Sequence, residues 1–335
     1  MKKYISFIVS FTMLATAIPA VPVYVSGNSN LIAEMEIKSD KKESKKNKDN
    51  KADEHYKVLD VSTGEVIEVN KLDYVIGAVC AEMPATFEEE ALKAQAVTAH
   101  TYAERQCLRE SENPDPELCG ADFSNDTSKF QGYFTVNQAK QFYKENFDLY
   151  YQKISDAVSE VWDYTIYYND EPIVAAFHSM SCGKTESASN VWGSDLEYLQ
   201  SVESPQDIFA PKYLEETEYE IDVVKNKLIS EYPEIQLDDD YNQWFEIKDI
   251  SDAGTVLNVR VGDIEITGNE LRSLLLLRSA SFEVKCSDNK IIFTTKGYGH
   301  GVGMSQYGAN AMAQEGKTWR EIIEHYYSGC TISKD

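Results

Sequence analysis

The sequence predicts an α+β fold. Strand-like runs are interleaved irregularly with helical ones, so a regular βαβ array is not expected. Amphipathic segments at helical spacing carry much of the apolar content, and short alternating runs bounded by turn residues carry the rest. An apolar share of 42% is ordinary for a packed core.

The element reading starts near His55. Tyr56–Val61 and Glu65–Val69 alternate about Ser62-Thr63-Gly64 and read as a hairpin. Asn70 caps a helix over Lys71–Glu82, which Pro84 stops. Residues 87–110 place Ala91, Leu92, Gln95, Ala96, Ala99 and Tyr102 on one helical face. A third helix is expected over 137–161. Strands follow at Tyr164–Tyr168 and Pro172–Phe177, turning at Asn169-Asp170. The acidic stretch 203–255 reads only as mixed α and β. Val256–Val261 with Asp263–Ile266 forms a hairpin, Glu270–Leu277 a helix, and Ser281–Lys285 with Ile291–Lys296 two strands. Met304–Gln314 and Trp319–Tyr327 close the chain as helices, the second capped by Thr318 and ended by Gly329.

Lys2 and Lys3 precede an apolar run from Tyr4 to about Val25, the pattern of an export signal. At about twenty residues the run also reaches the length of a membrane-spanning helix, so 1–27 is a signal peptide or an anchor. Either places the rest outside the cytoplasm. Residues 28–57 form a charged linker with too little apolar surface to offset ordering. The net charge of −24 repels nucleic acid, and no nucleic-acid partner is expected. Outside the cytoplasm, six cysteines can form disulfides. Cys107–Cys119 is expected to close a local loop, and Cys286–Cys330 to tie together the ends of the C-terminal region.

Several motifs fail. Gly183-Lys184-Thr185 lacks the upstream glycine of a phosphate-binding loop, and the alternating glycines 297–303 lack the spacing of a dinucleotide fingerprint. His178 and Cys182 provide two zinc donors where a site needs more. No metal or other cofactor is expected.

Three segments carry chemistry. In Val79-Cys80-Ala81-Glu82-Met83-Pro84, a carboxyl ends an otherwise apolar helix. Burial there favours the protonated form and suits a general acid, although a carboxylate satisfied by backbone N–H groups reads equally well. Phe177–Glu186 sets His178, Ser181, Lys184 and Glu186 in a small-residue loop after a strand. Gly297–Gly308 offers His300 and Gln306 among glycines that permit close backbone approach.

These segments resemble the SpoIID/LytB family. Glu82-Met-Pro with Glu90-Ala-Leu-Lys-Ala-Gln-Ala-Val97 and Thr101-Tyr-Ala looks like the opening of its domain. His178-Ser-x-Ser-x-Gly-x-Thr-Glu186 and Trp192-Gly193 look like the middle. Leu271-Arg272, Leu277-Arg278-Ser279, the stretch Gly297–Ala309 and His325-Tyr-Tyr-x-Gly329 look like the close. The resemblance implies one large two-lobed domain over 58–335, with a mixed β-sheet core and helices around a substrate cleft. It implies a lytic transglycosylase that cuts peptide-free peptidoglycan strands during engulfment in sporulation, with Glu82 as its single catalytic acid. It also implies stage II sporulation proteins P and M as partners, and an extracytoplasmic location at the membrane. His100 stands where family members commonly carry an arginine implicated in the site. Ser124 and Phe130 stand near positions where some members bind zinc through cysteines. The substrate-binding set expected here is therefore His100, His178, Ser181, Lys184, Glu186, His300 and Gln306. Two other readings are a non-catalytic amidase enhancer and a two-carboxylate hydrolase using Glu186 as the second group.

Overall fold

A computed structural model describes residues 55–334. The N-terminal apolar segment and most of the charged linker lie outside the described residues. Strands β1 (His55–Asp60) and β2 (Glu65–Asn70) form the expected antiparallel hairpin, and β1 also pairs in parallel with β3 (Phe123–Ser124). Helix α1 (Lys71–Glu82) begins where the Asn70 side chain accepts from the N–H groups of Leu72 and Asp73. It is buried continuously from Tyr74 to Glu82, because helix α2 (Glu89–Glu112) and its neighbours cover it on every side.

The third expected helix is two. Lys144 adopts φ +52°, which breaks the run into α3 (Val136–Tyr143) and α4 (Phe147–Ser159) around one 3₁₀ turn. Strand β4 (Tyr164–Tyr168) turns through Asn169 and Asp170, both at positive φ, into a β5 of only two residues (Glu171–Pro172). The chain then runs irregularly to β6 (Phe177–His178), followed by α5 (Ala188–Trp192).

The acidic stretch opens a second lobe. Its elements are β7 (Leu214–Glu220), α6 (Ile221–Glu231), β8 (Phe245–Ile250), β9 (Val256–Val261), β10 (Ile264–Thr267), α7 (Gly268–Leu275), β11 (Phe282–Ser287) and β12 (Lys290–Lys296). They form two three-stranded antiparallel sheets, in the orders β10-β9-β8 and β11-β12-β7. The chain returns to the first lobe through β13 (Met304–Ser305), α8 (Gln306–Gln314), α9 (Trp319–Tyr326) and β14 (Thr331–Lys334), the last pairing with β4.

The α+β class and the two lobes stand as expected. Two separate apolar cores define the lobes, one built from α1, α2, α4, α9 and their partners, the other from α6, α7 and the two antiparallel sheets. The β-structure departs from a single mixed core. Among the described residues, five small sheets of two or three strands lie around the helices.

Neither proposed disulfide is formed, and all six cysteines are free thiols. Cys286 packs at the edge of the second core and Cys330 against the first, so different lobes hold them. Cys119 is exposed, while burial and the nearby Asp122 and Glu104 carboxylates push the Cys107 thiol up. Unfolding without reductant should expose six alkylatable thiols. A mass reporting fewer adducts would count against this arrangement.

Candidate functional site

The cleft beside Glu82 is built from three segments distant in sequence. Glu82 is the last residue of α1 and only 2% exposed. Its floor is the end of that helix, one wall is the β1–β2 turn, and the other is the stretch from Asn125 to Thr135 that leads into α3. The cavity is about 500 Å³. Asp60, Ser62, Asn125, Thr127, Tyr133 and Gln138 are among the residues that face it, and no Lys, Arg or His lines it.

Two glycines let the second wall close on the helix. Phe134 N–H donates to the Gly77 carbonyl at 2.9 Å, and a Cβ on Gly77 would lie 2.3 Å from the Phe134 oxygen. Gly132 comes closer to the chemistry. Its N–H donates to Glu82 Oε1 at 3.1 Å, and a Cβ there would sit 3.2 Å from the same oxygen.

That single bond fixes the acid's form. Burial raises the Glu82 pKa to about 8, and the Gly132 N–H draws it back only in part. The carboxyl is therefore protonated at neutral pH. Oε1 must offer a lone pair to Gly132, so the proton belongs on Oε2, which is buried and has no partner. The result is a buried O–H with its donor unused, on a residue that lines the cleft.

The remaining residues expected at the site are placed elsewhere. Gln306 comes nearest: its Nε2 donates to the Glu82 backbone carbonyl at 2.9 Å and to Gln95 Oε1 at 3.3 Å. It secures the end of α1 from behind and does not face the cleft. His100 is buried on α2, with Nδ1 2.9 Å from the Tyr56 hydroxyl and Nε2 3.9 Å from Glu104. Tyr56 donates to Glu104, so it accepts from His100 Nδ1–H. Family members' arginine position is here part of the core.

The serine-rich loop and the glycine stretch meet each other, and neither is part of the cleft lining. His178 and His300 lie with ring centroids 5.8 Å apart, and the Trp192 ring sits tilted against His300 at 5.4 Å. Burial lowers the pKa of His178 to about 4 and drives His300 well below its ordinary value, so both are neutral. His178 Nδ1 donates to the Val302 carbonyl at 3.1 Å. Ser181 uses both N–H and Oγ on Asp207 Oδ2, at 2.7 and 2.6 Å, and Ser305 holds the other Asp207 oxygen. These groups tie the chain together.

Lys184 and Glu186 line a second, polar cavity of about 340 Å³ at the junction of the lobes. Lys184 lies 3.7 Å from Glu203. Glu186 Oε1 accepts from Ser187 N–H and Asn190 Nδ2, both at 2.9 Å, and Oε2 from the Ser251 hydroxyl. A carboxylate so engaged, in a different cavity, is not a partner for Glu82. The structure sets Glu82 and Glu186 in the linings of different cavities.

The loop 120–132 does not fit zinc. Phe130 is packed into the first core, and Ser124 sits in β3. The Cys182 thiol turns to the Lys296 carbonyl at 3.3 Å, away from a shared site with His178. Among the described residues, no three His, Cys, Asp or Glu side chains converge as a metal site.

Sequence reasoning missed the cleft walls. Asn125, Gly132 and Tyr133 sit in a loop with no periodicity to flag them, and Asp60 sits at the end of a strand whose alternation says nothing of a cleft. One legible signal was Thr135-x-x-Gln138, a capping box that marks where the wall ends and α3 begins.

Residues 60–168 match the family profile described as "Stage II sporulation protein". The chain is 38% identical over 262 residues to the stage II sporulation protein D of Bacillus subtilis, covering 78% of this chain and 74% of that one. The protein of the same description from Bacillus amyloliquefaciens is 38% identical over 264 residues, with the same coverages. A more distant relative, the amidase enhancer of Bacillus subtilis, is 27% identical over 313 residues, covering 77% of this chain and 40% of that protein.

Proposed function

The chain belongs to the stage II sporulation protein D family, and from that premise we propose that it is a lytic transglycosylase of sporulation, cutting peptide-free peptidoglycan strands with Glu82 as its acid. The observation that carries this reading is the Glu82 carboxyl: protonated at neutral pH, held by one backbone N–H, and set in the lining of a cleft of mixed polar and apolar residues.

One acid suffices because it acts twice. The Oε2 proton passes to the oxygen bridging a muramic acid to the next sugar. The C1–O bond breaks, and its electron pair leaves with that oxygen. The sugar's own 6-hydroxyl then attacks C1, and its proton returns to the Glu82 carboxylate. An anhydro ring closes and the acid is regenerated, with no water consumed. Holding the hydroxyl at C1 replaces an external nucleophile, an effect that can reach several kcal/mol. Burial supports both halves, since a pKa of about 8 suits donation and recapture near neutrality.

In this reading the protein acts outside the cytoplasm, tethered or exported through residues 1–27. It works beside stage II sporulation proteins P and M, the first removing peptides so that the glycan can enter. The amidase-enhancer relative motivates the competing reading, a glycan-binding accessory without chemistry of its own.

Mass spectrometry of products released from peptide-free glycan by the purified protein alone decides between them. Anhydro-muramic ends are expected from the native chain and none from Glu82→Ala. Intact strands with the native protein would support the accessory role, and reducing ends would support hydrolysis.

A further inference from the structure

Asp60 ends β1 at the mouth of the Glu82 cleft and is part of its lining. Its side-chain hydrogen bonds fall on one oxygen. Oδ1 accepts from Ser62 N–H at 3.0 Å, the Ser62 hydroxyl at 2.7 Å and Asn125 Nδ2 at 3.0 Å. Asn125 follows β3, the strand that pairs with β1, so this bond joins the ends of two neighbouring strands at the cleft. Among the described residues Asp60 enters no ion pair, and no basic side chain lines the cleft.

We propose that Asp60 is the second working carboxylate of this cleft, stabilising the positive sugar ring that forms as Glu82 gives up its proton. The inference rests on the transglycosylase reading and assigns that reaction a residue it had lacked. A sugar losing its leaving group before the 6-hydroxyl closes carries positive charge shared between C1 and the ring oxygen. With no lysine or arginine present, that transient cation is the counter-charge available to Asp60. The bonds from Ser62 and Asn125 hold the Asp60 carboxyl below its usual range, so it is ionised under conditions that keep Glu82 protonated. Two carboxyls pushed to opposite protonation states in one cleft is how an acid and a charge stabiliser divide their roles. Burial, and with it the charge of Asp60, raises the phenol of Tyr133, which also lines the cleft. Asp60 forms no bond to the sugar, so the proton and electron accounting of the reaction is unchanged.

The test uses the full chain and peptide-free glycan strands. D60N keeps an oxygen for the Ser62 and Asn125 bonds and removes the charge. It should lower kcat about ten-fold or more, leave KM within about two-fold, and leave the unfolding temperature unchanged. D60E restores the charge on a longer arm and should recover part of the lost kcat. A kcat for D60N within two-fold of native overturns the assignment while the transglycosylase reading stands. Equal losses in D60N and D60E, with a lowered unfolding temperature, assign Asp60 to the turn alone and overturn it too. A native chain that releases no anhydro ends removes the reading and this inference together.

Discussion

Glu82→Gln should abolish glycan cleavage and, at the same time, make the protein's stability less sensitive to pH. The amide keeps an oxygen for the Gly132 N–H and nearly the same volume, so the cleft is preserved while the proton is lost. General acids contribute on the order of 10² to 10⁴ in rate. Here one group serves as acid and then as base, which places the expected loss in kcat at the upper end. In the native chain, activity should also fall above about pH 8, as Glu82 deprotonates and can no longer donate.

The stability half follows from linkage. The folded carboxyl holds its proton to about pH 8, whereas the unfolded one releases it near its ordinary value of 4.5. Between those values the native state binds more protons than the unfolded state, so stability falls as pH rises. Below 4.5 the group costs nothing. At about 1.4 kcal/mol per pH unit, the native chain loses roughly 3 kcal/mol between pH 4.5 and pH 7 through this residue alone. The amide of the Glu82→Gln variant cannot titrate. The unfolding free energy of the variant relative to native should therefore shift in the variant's favour by about that amount over the same range, whatever the fixed cost of burying the amide. Denaturant titrations at several pH values read it directly. A constant difference would mean that Glu82 ionises freely and is no acid.

The acid was legible and its cleft was not, for one physical reason. Local signals fix helix ends: Asn70, the apolar run and Pro84 place Glu82 at a helix terminus, and the continuous apolar character of that run implies a shielded carboxyl. The walls come together only through contacts across long stretches of chain. Asn125 to Asp60 and Gly132 to Glu82 are pairings of two loops with elements far away in sequence, and neither loop has periodicity. The third helix misleads for a similar reason. Its apolar pattern runs unbroken, yet Lys144 takes a positive φ and turns α4 onto α1 and α2. The polar residues of the middle and closing motifs suggest ligand contacts because polarity in a loop invites that reading. Many of them instead satisfy one another, as Ser181 and Ser305 do on Asp207.

The alternating glycines make the same point and carry a large expected effect. In the sequence they suggest room for a ligand, and in the structure they are room for the chain itself. A Cβ on Gly299 would lie 2.7 Å from that of His178, and one on Gly303 would lie 2.0 Å from the Ala176 oxygen. Gly303 also sits at φ +72°, just before β13 pairs with β6 and Met304 N–H reaches the Ala176 carbonyl at 3.0 Å. Gly303→Ala meets two penalties there. The left-handed backbone costs a side chain about 1 kcal/mol, and forcing a methyl against a fixed carbonyl costs about 1–3 more. The unfolding temperature should drop by about 10 °C, given a few degrees per kcal/mol for a chain of this size. Gly316→Ala separates the two causes. It has a similar φ of +87° and nothing within 4 Å of its Cβ, so only the backbone penalty of about 1 kcal/mol applies. Activity should follow the first variant and not the second. Displacing β13 moves Gln306, whose amide holds the end of the helix that presents Glu82. Folded Gly303→Ala protein should therefore show a lower kcat, while Gly316→Ala keeps the native rate.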